Sequence, residues 1–210
     1  MMKMTVVAAN GKAGSEIVEE ALSRQLDVAV AVRGSNRTKA QRVLIRDLMD
    51  LTAEDLAGSD VVVDAFGASA PDALPQHTTT LMHLVDILAG SPTRLLVVGG
   101  AGSLYMDADH TLQLKDTPDF PKGFKPLAQA MGKALDRLRE RLDCHWTYVS
   151  PAADFRADGP RTGRYLLRGE EFSTNDQGIS MISYADYAIG LVDEAVKDGH
   201  DHQRISLIGR

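Results

Sequence analysis

Apolar positions along this chain fall into short continuous runs separated by stretches with helical spacing. Lys3 to Ala8 is an apolar run of strand length; from Gly14 to Arg24, Ile17, Val18, Ala21 and Leu22 share one helical face; Asp27 to Val32 returns to a valine- and alanine-rich strand. Together they form one βαβ unit, and the alternation then repeats. Arg37 to Arg42 is predicted helical, Val43 to Ile45 and Val61 to Ala65 as strands, Leu74 to Ala89 as a helix and Arg94 to Val98 as a strand, with a further helix over Leu127 to Leu142 and a strand over Trp146 to Val149. Strands that are apolar throughout need cover on both sheet faces, so the pattern predicts an α/β fold, a Rossmann-type doubly wound parallel sheet.

Two segments depart from this rhythm. Tyr105 to Pro126 has little periodicity, several aspartates and three prolines, which fits either a lid over a site or a surface excursion. After Pro151, short pieces at Gly163 to Leu167, Glu171 to Ser173 and Ile179 to Ile182 are predicted as small strands or hairpins. A helix over Tyr184 to Val196 and a last strand at Arg204 to Ile208 follow, a small C-terminal elaboration on the carboxyl edge of the sheet, where open α/β folds bind ligands. No internal repeat divides the chain, so residues 1–210 are expected to form a single domain.

Composition narrows the function classes. With 44% hydrophobic and 25% charged residues over 210 positions, the chain has the make-up of an ordinary globular domain, and no apolar run is long enough to cross a bilayer. The N-terminus enters strand chemistry directly, without the pattern of a secretion signal. A formal net charge of -6 argues against nonspecific nucleic-acid binding, so the expected partner is a small molecule. Cys144, the lone cysteine, has no internal disulfide partner, which fits a reducing cytoplasm. A homodimer is compatible with the chain, which does not itself set an oligomeric state.

The chemistry starts at the first strand-to-helix turn. In Ala8-Ala9-Asn10-Gly11-Lys12-Ala13-Gly14, two of the three glycines of the dinucleotide fingerprint remain, and Ala8 stands where the first is expected. Glycine lets backbone N–H groups approach a pyrophosphate, and the helix N-terminus adds unpaired donors and partial positive charge. Its position opening a βαβ unit favours this reading over a plain turn. At the end of the second strand, where NAD-specific folds place an acidic residue for the ribose 2′-hydroxyl, this chain has Arg33, followed by Asn36, Arg37 and Lys39. A guanidinium suits a 2′-phosphate, so NADP, with NADPH preferred over NADH, is the expected cofactor; a solvated arginine at a strand end is the alternative.

Further motifs occur in order: Asp47-Leu48, Asp64-Ala65-Phe66-Gly67, Gly99-Gly100-Ala101-Gly102-Ser103-Leu104, Ser150-Pro151-Ala152-Ala153 and Ile182-Ser183-Tyr184-Ala185-Asp186-Tyr187-Ala188. With the glycine turn and Val32-Arg33, they make the chain resemble, over nearly its whole length, the atypical short-chain dehydrogenase/reductase group of NADH-flavin reductases related to biliverdin reductase B. The resemblance implies that Gly11, Lys12, Ala13 and Gly14 cradle the pyrophosphate, joined by Ala8 and Asn10 of the same turn. It implies that Arg33, with Arg37 nearby, holds the 2′-phosphate, and that Asp47 and Leu48 border the adenine. Ala65, Phe66 and Gly67 would line the cofactor, Gly100, Ala101 and Ser103 would lie beside the nicotinamide ribose, and Pro151, Ala152 and Ala153 would approach the nicotinamide face. Phe66 fits ordinary core packing equally well.

One departure bears on the reaction. Carbonyl-reducing members use a Tyr-x-x-x-Lys pair, in which lysine lowers the pKa of the proton-donating tyrosine. Here Lys133 is preceded four residues earlier by Gln129, so no tyrosine stands in that register. Lys133 is a candidate for the nicotinamide ribose or a snorkelling helix lysine. Hydride transfer to a flavin or quinone can take its proton from water and depends mainly on positioning. The catalytic candidates are therefore Ser103, Tyr105 and Lys133, with a lid or rim role as the alternative for Tyr105.

The six histidines have no convincing ligand spacing, so no metal is expected: His77 and His83 do not share a helical face well, and His200 and His202 flank Asp201 in a polar turn. The serines lack the Gly-x-Ser-x-Gly elbow of a hydrolase. What remains is an NAD(P)H-dependent reductase of a flavin, quinone or similar planar acceptor, with flavin as a possible substrate. A non-catalytic NADP(H)-binding sensor or regulatory protein is the alternative. An epimerase-like sugar-nucleotide enzyme is weaker, because its tyrosine base would also be missing.

Overall fold

The computed structural model describes residues 1–210. Strand β1 (Lys3–Val7) leads into helix α1 (Lys12–Ser23), then β2 (Asp27–Val32), β3 (Arg42–Ile45), the short α2 (Ala53–Leu56), β4 (Val61–Asp64), α3 (Gln76–Leu88) and β5 (Arg94–Val98). The chain continues through α4 (Lys125–Arg139), β6 (His145–Pro151), β7 (Asp154–Arg156), β8 (Tyr165–Arg168), β9 (Met181–Ser183), α5 (Tyr184–Lys197) and β10 (Gln203–Gly209). Eight strands form one sheet in the order β3-β2-β1-β4-β5-β6-β10-β8, parallel except for β8 at one edge; β7 and β9 pair separately. This is the Rossmann-like architecture expected from the alternation of apolar strands and helices.

The central strands are buried on both faces, Met4 to Val7 and Val61 to Asp64 throughout, because each face carries a helical layer. Ile17, Val18 and Ala21 of α1 pack with Leu191, Val192 and Ala195 of α5 over Val6, Val30, Val63 and Ile205. On the other face, Leu81, Leu84 and Leu88 of α3 join Leu135 and Leu138 of α4 over Val62, Leu95, Val97 and Trp146. Strand alternation sends odd and even positions to the two layers, so a one-residue slip would exchange both cores.

Several elements differ from the sequence expectation for local reasons. The helix predicted over Arg37 to Arg42 is instead a loop that enters β3 at Arg42. The Asn36 amide satisfies its backbone instead, Oδ1 accepting from the Thr38 N–H (2.9 Å) and Nδ2 donating to the Ala40 carbonyl (3.0 Å), which competes with a helical ladder. Glu171 to Ser173 contributes only a single bridge to Tyr105. Strand β7 was not anticipated, nor was α2, although a Thr52/Asp55 capping box opens it.

The Ser183-to-Tyr187 motif is structural on its inner face. Ser183 caps α5 by accepting from the Asp186 N–H (3.0 Å), and the buried Asp186 carboxylate accepts from the N–H groups of Thr162 and Gly163, each at 2.9 Å. The Tyr187 hydroxyl donates to the Val149 carbonyl at 2.7 Å, pinning α5 to β6.

At Gly99 and Gly102, the loop after β5 leaves no room for a side chain. A Cβ on Gly99 would lie 2.2 Å from Cε1 of the Tyr148 ring, and one on Gly102 would lie 2.5 Å from the Ala128 Cβ. Tyr148 is fully buried and cannot swing aside, so Gly99→Ala is expected to destabilise the fold by about 3 kcal/mol, as overpacking does at a rigid neighbour. Urea unfolding measures this; a loss below about 0.5 kcal/mol would show that the ring can yield.

Candidate functional site

Strand order reverses at β1, which pairs with β2 on one side and β4 on the other. The carboxyl ends of these strands diverge there and open a crevice, the usual ligand position in such sheets. A cleft of about 1040 Å³ runs from it along the ends of β4, β5 and β6.

At one end lies the turn between β1 and α1. Ala8 has φ 57°, the left-handed conformation that glycine adopts most easily, so alanine here performs the turn of the missing fingerprint glycine. The Gly11 N–H closes the turn onto the Ala8 carbonyl (3.0 Å). A Cβ on Gly14 would lie 2.9 Å from the Ala9 Cα and 3.0 Å from the Ala8 carbonyl oxygen, so only glycine lets α1 sit this close to β1. Helix α1 has no side-chain N-cap and no acidic residue in its first turn. Its first N–H groups and its dipole therefore remain unspent where Gly11, Lys12 and Ala13 line the cleft, a cradle that fits a pyrophosphate.

Asn10 ties this turn to the loop after β2. Its Nδ2 donates to the Ser35 carbonyl (2.9 Å), its Oδ1 accepts from the Arg37 N–H (2.8 Å), and the Arg37 guanidinium donates to the Asn10 carbonyl (3.2 Å). Arg33 is exposed beside them and takes part in no ion pair, whereas Lys39 is engaged with Glu19. Asp47 and Leu48 lie outside the cleft lining: Asp47 accepts from the Met49 N–H (3.0 Å), and Leu48 is buried in the core under β2.

Along the middle, Ala65, Phe66 and Gly67 follow β4, and the turn they make is set by Asp64. That carboxylate is 4% exposed, and its Oδ1 accepts from the Phe66 N–H (3.0 Å). Burial pushes the Asp64 carboxyl up to about 6, with the Phe66 N–H opposing. Phe66 both lines the cleft and packs edge-on against the buried His77 ring at 5.4 Å.

At the far end, Gly100, Ala101 and Ser103 form the floor, and Pro151, Ala152 and Ala153 form the wall after β6. The Tyr148 hydroxyl accepts from the Gly100 N–H (3.3 Å), and burial raises its pKa to about 12, so it remains a neutral structural group. The segment between β5 and α4 closes over this end. Leu114, Thr117, Phe120, Pro121 and Phe124 line the cleft, joined by Leu127 and Met131 of α4, with Phe155 and Tyr184 also in the lining. Phe124 is 64% exposed at the rim, and Tyr184 packs against Phe155 with ring centroids 4.0 Å apart and planes tilted by 44°, rather than packing inward as Tyr187 does.

The catalytic candidates separate in space. Ser103 lines the cleft. Tyr105 does not; it stacks on His110 at 4.3 Å and bridges Gln113 and Glu171, which holds the segment's base. Lys133 is exposed on α4 and also lies outside the lining. Sequence reasoning missed Arg204, which donates to the Ser103 hydroxyl oxygen at 2.9 Å, because the two residues are 101 positions apart.

The histidines are engaged locally. The His77 and His83 rings meet the carbonyls of Ala68 (2.8 Å) and Leu51 (2.9 Å). His145, Asp201 and His202 converge at the opposite edge of the sheet, with Asp201 accepting from the Trp146 N–H and lying 2.7 Å from the His145 Nδ1. No helix is long and apolar enough to cross a membrane.

Fold and cleft together define a Rossmann-type dinucleotide-binding protein. A family model described as NAD(P)H-binding matches residues 8–195, and the chain belongs to that family. It is 43% identical to the YwnB protein of Bacillus subtilis (strain 168) over 210 residues, 99% of this chain and 98% of that one. Among solved structures, it is similar to a Streptococcus pneumoniae TIGR4 protein described as "a putative NADH-flavin reductase", at 54% identity and TM-score 0.98, with 100% of both chains covered. It is also similar to a Bacteroides thetaiotaomicron protein described as a "putative epimerase", at 31% identity and TM-score 0.86, covering 99% of this chain and 97% of that one. The family match makes the chain an NAD(P)H-binding protein.

The raised Asp64 pKa predicts a pH effect on stability. The native state takes up a proton near pH 6 that the unfolded chain takes up only near 4, so stability should rise as pH falls from 7 to 4, by on the order of 2 kcal/mol from this group. Asp64→Asn, which can still accept from the Phe66 N–H, should be more stable than the parent at pH 8 and lose that dependence. Equal pH dependence of the two proteins in chemical denaturation would refute the assignment.

Proposed function

We propose that the protein is an NADPH-dependent reductase of a planar acceptor such as a flavin or quinone. The observation that carries this reading is the cleft itself, in which one continuous channel joins the glycine cradle of α1 to an apolar chamber walled by Leu114, Phe120, Phe124, Leu127 and Met131. A dinucleotide occupies the first part, and a flat apolar ring system suits the second. A bound reduced nicotinamide supplies the hydride.

The chain's residues then have positioning work. Gly11 to Gly14 anchor the pyrophosphate, and Arg33, free of any carboxylate partner, takes the 2′-phosphate, with Asn10 and Arg37 holding its loop against the cradle. Pro151 to Ala153 and the Gly100–Ser103 floor confine the nicotinamide, and the aromatic wall stacks the acceptor upon it. Close stacking and exclusion of water carry the catalytic burden, and the proton comes from solvent, in keeping with the absence of a tyrosine four residues before Lys133. Cys144 is the lone cysteine and is buried as a free thiol, which fits a reducing cytoplasm.

Cofactor oxidation with FMN, FAD, riboflavin and simple quinones tests the reading. Acceptor-dependent turnover preferring NADPH is expected. Arg33→Glu should raise the KM for NADPH by about tenfold to a hundredfold while leaving NADH nearly unaffected, the scale of a lost charge-assisted bond. Tight NADPH binding without oxidation by any acceptor would instead make the protein a sensor of the cofactor.

A further inference from the structure

Beneath the nicotinamide end of the cleft lies a charge that the reading above does not use. The Arg204 side chain, on β10, has no solvent exposure. Its Nη1 donates to the Ser103 Oγ at 2.9 Å, and its Nη2 donates to the Glu170 carbonyl at 3.0 Å and is paired with the Glu170 carboxylate. Nε has no hydrogen-bond partner. Glu170 is shared with Arg139, whose Nη2 lies 2.7 Å from the same carboxylate and whose Nη1 lies 3.7 Å from the exposed Asp136 carboxylate. Burial holds the Arg204 pKa below its ordinary value against the pull of Glu170, yet arginine remains protonated at any working pH.

We propose that Arg204 is a positioning residue that turns the Ser103 hydroxyl into an oriented hydrogen-bond donor for an oxygen in the nicotinamide half of the bound dinucleotide. A hydroxyl can accept and donate, and the guanidinium, which only donates, claims the accepting side of Oγ. The hydroxyl hydrogen then has no acceptor within the protein: the bond from Arg204 is the only one Ser103 Oγ makes, although Ser103 is buried and lines the cleft. A buried donor without an acceptor is costly, and a ligand oxygen relieves that cost. Strand order selects the half of the ligand. The adenine half lies toward β2, so the ends of β5 and β6, where Ser103 sits, receive the nicotinamide half. The positive charge behind Oγ polarises its O–H and strengthens the bond it donates.

The inference rests on the NADPH reading of the cleft, and binding measurements separate the two. Dissociation constants for NADPH and for adenosine 2′,5′-bisphosphate, which carries only the adenosine half, are measured for the parent, Ser103→Ala, Arg204→Met and the double variant. Ser103→Ala is expected to weaken NADPH by about tenfold and leave the bisphosphate unchanged. Arg204→Met should do the same, and the double variant should be no weaker than either single one, because the arginine acts through the serine. Arg139 remains on Glu170, so this variant leaves no orphaned carboxylate. Should Arg204→Met fail to fold, Arg204→Lys, which keeps the charge but not the guanidinium fork, takes its place in the cycle, and any loss of NADPH affinity it causes should disappear in the Ser103→Ala background. Unchanged NADPH affinity in Ser103→Ala, or losses that add in the double variant, would overturn the proposal with the NADPH reading intact. A parent protein that binds neither probe would overturn both.

Discussion

A parallel sheet covered by helices on both faces is the constraint from which the site follows. Every βαβ crossover brings the chain back to start its next strand at the same edge, so all the carboxyl ends collect at the opposite one. Reversal of winding at β1 then prevents adjacent crossovers from closing that edge between β1 and β4. The cleft is thus a consequence of topology, and its lining comes largely from the loops at the carboxyl ends of the strands.

Small residues decide how closely those loops approach. Gly14 admits α1 onto β1, Gly99 makes room for the Tyr148 ring, and Gly102 admits α4. Each has a structural reason independent of any ligand, so a run such as Gly99 to Gly102 owes its composition to the tyrosine and helix packed behind it as much as to the cleft in front. Ala8 makes the same point from the other side. Its φ of 57° is held by the surrounding hydrogen bonds, so a motif that looks incomplete in sequence is complete in backbone geometry.

The polar groups behind the cleft are organised differently from those at its mouth. Asp64, Tyr148 and Arg204 are buried, and each has a partner on the backbone or side chains of the lining. They fix the floor in one arrangement, because a buried polar group that loses its partner carries the full desolvation cost. At the mouth, Phe124 is exposed, and Arg33, outside the lining, is exposed with no ion-pair partner.

The alternation of apolar runs and helical faces by itself determined the parallel α/β fold, since double-sided burial leaves its mark on every residue of a strand. The turn from Ala8 to Gly14 was legible for a similar reason: its requirement for small residues is local. Where side chains compete with backbone over a few residues, as Asn36 does, periodicity alone misled, and strands as short as β7 carry too few residues to show a period. Tertiary structure alone decided which candidates meet. It put Ser103 in the cleft and left Tyr105 and Lys133 outside, walled one end of the cleft with a segment that has no periodic pattern, and set Arg204 behind Ser103. Contacts between distant positions arise from strand order and crossover packing, and no local propensity encodes them.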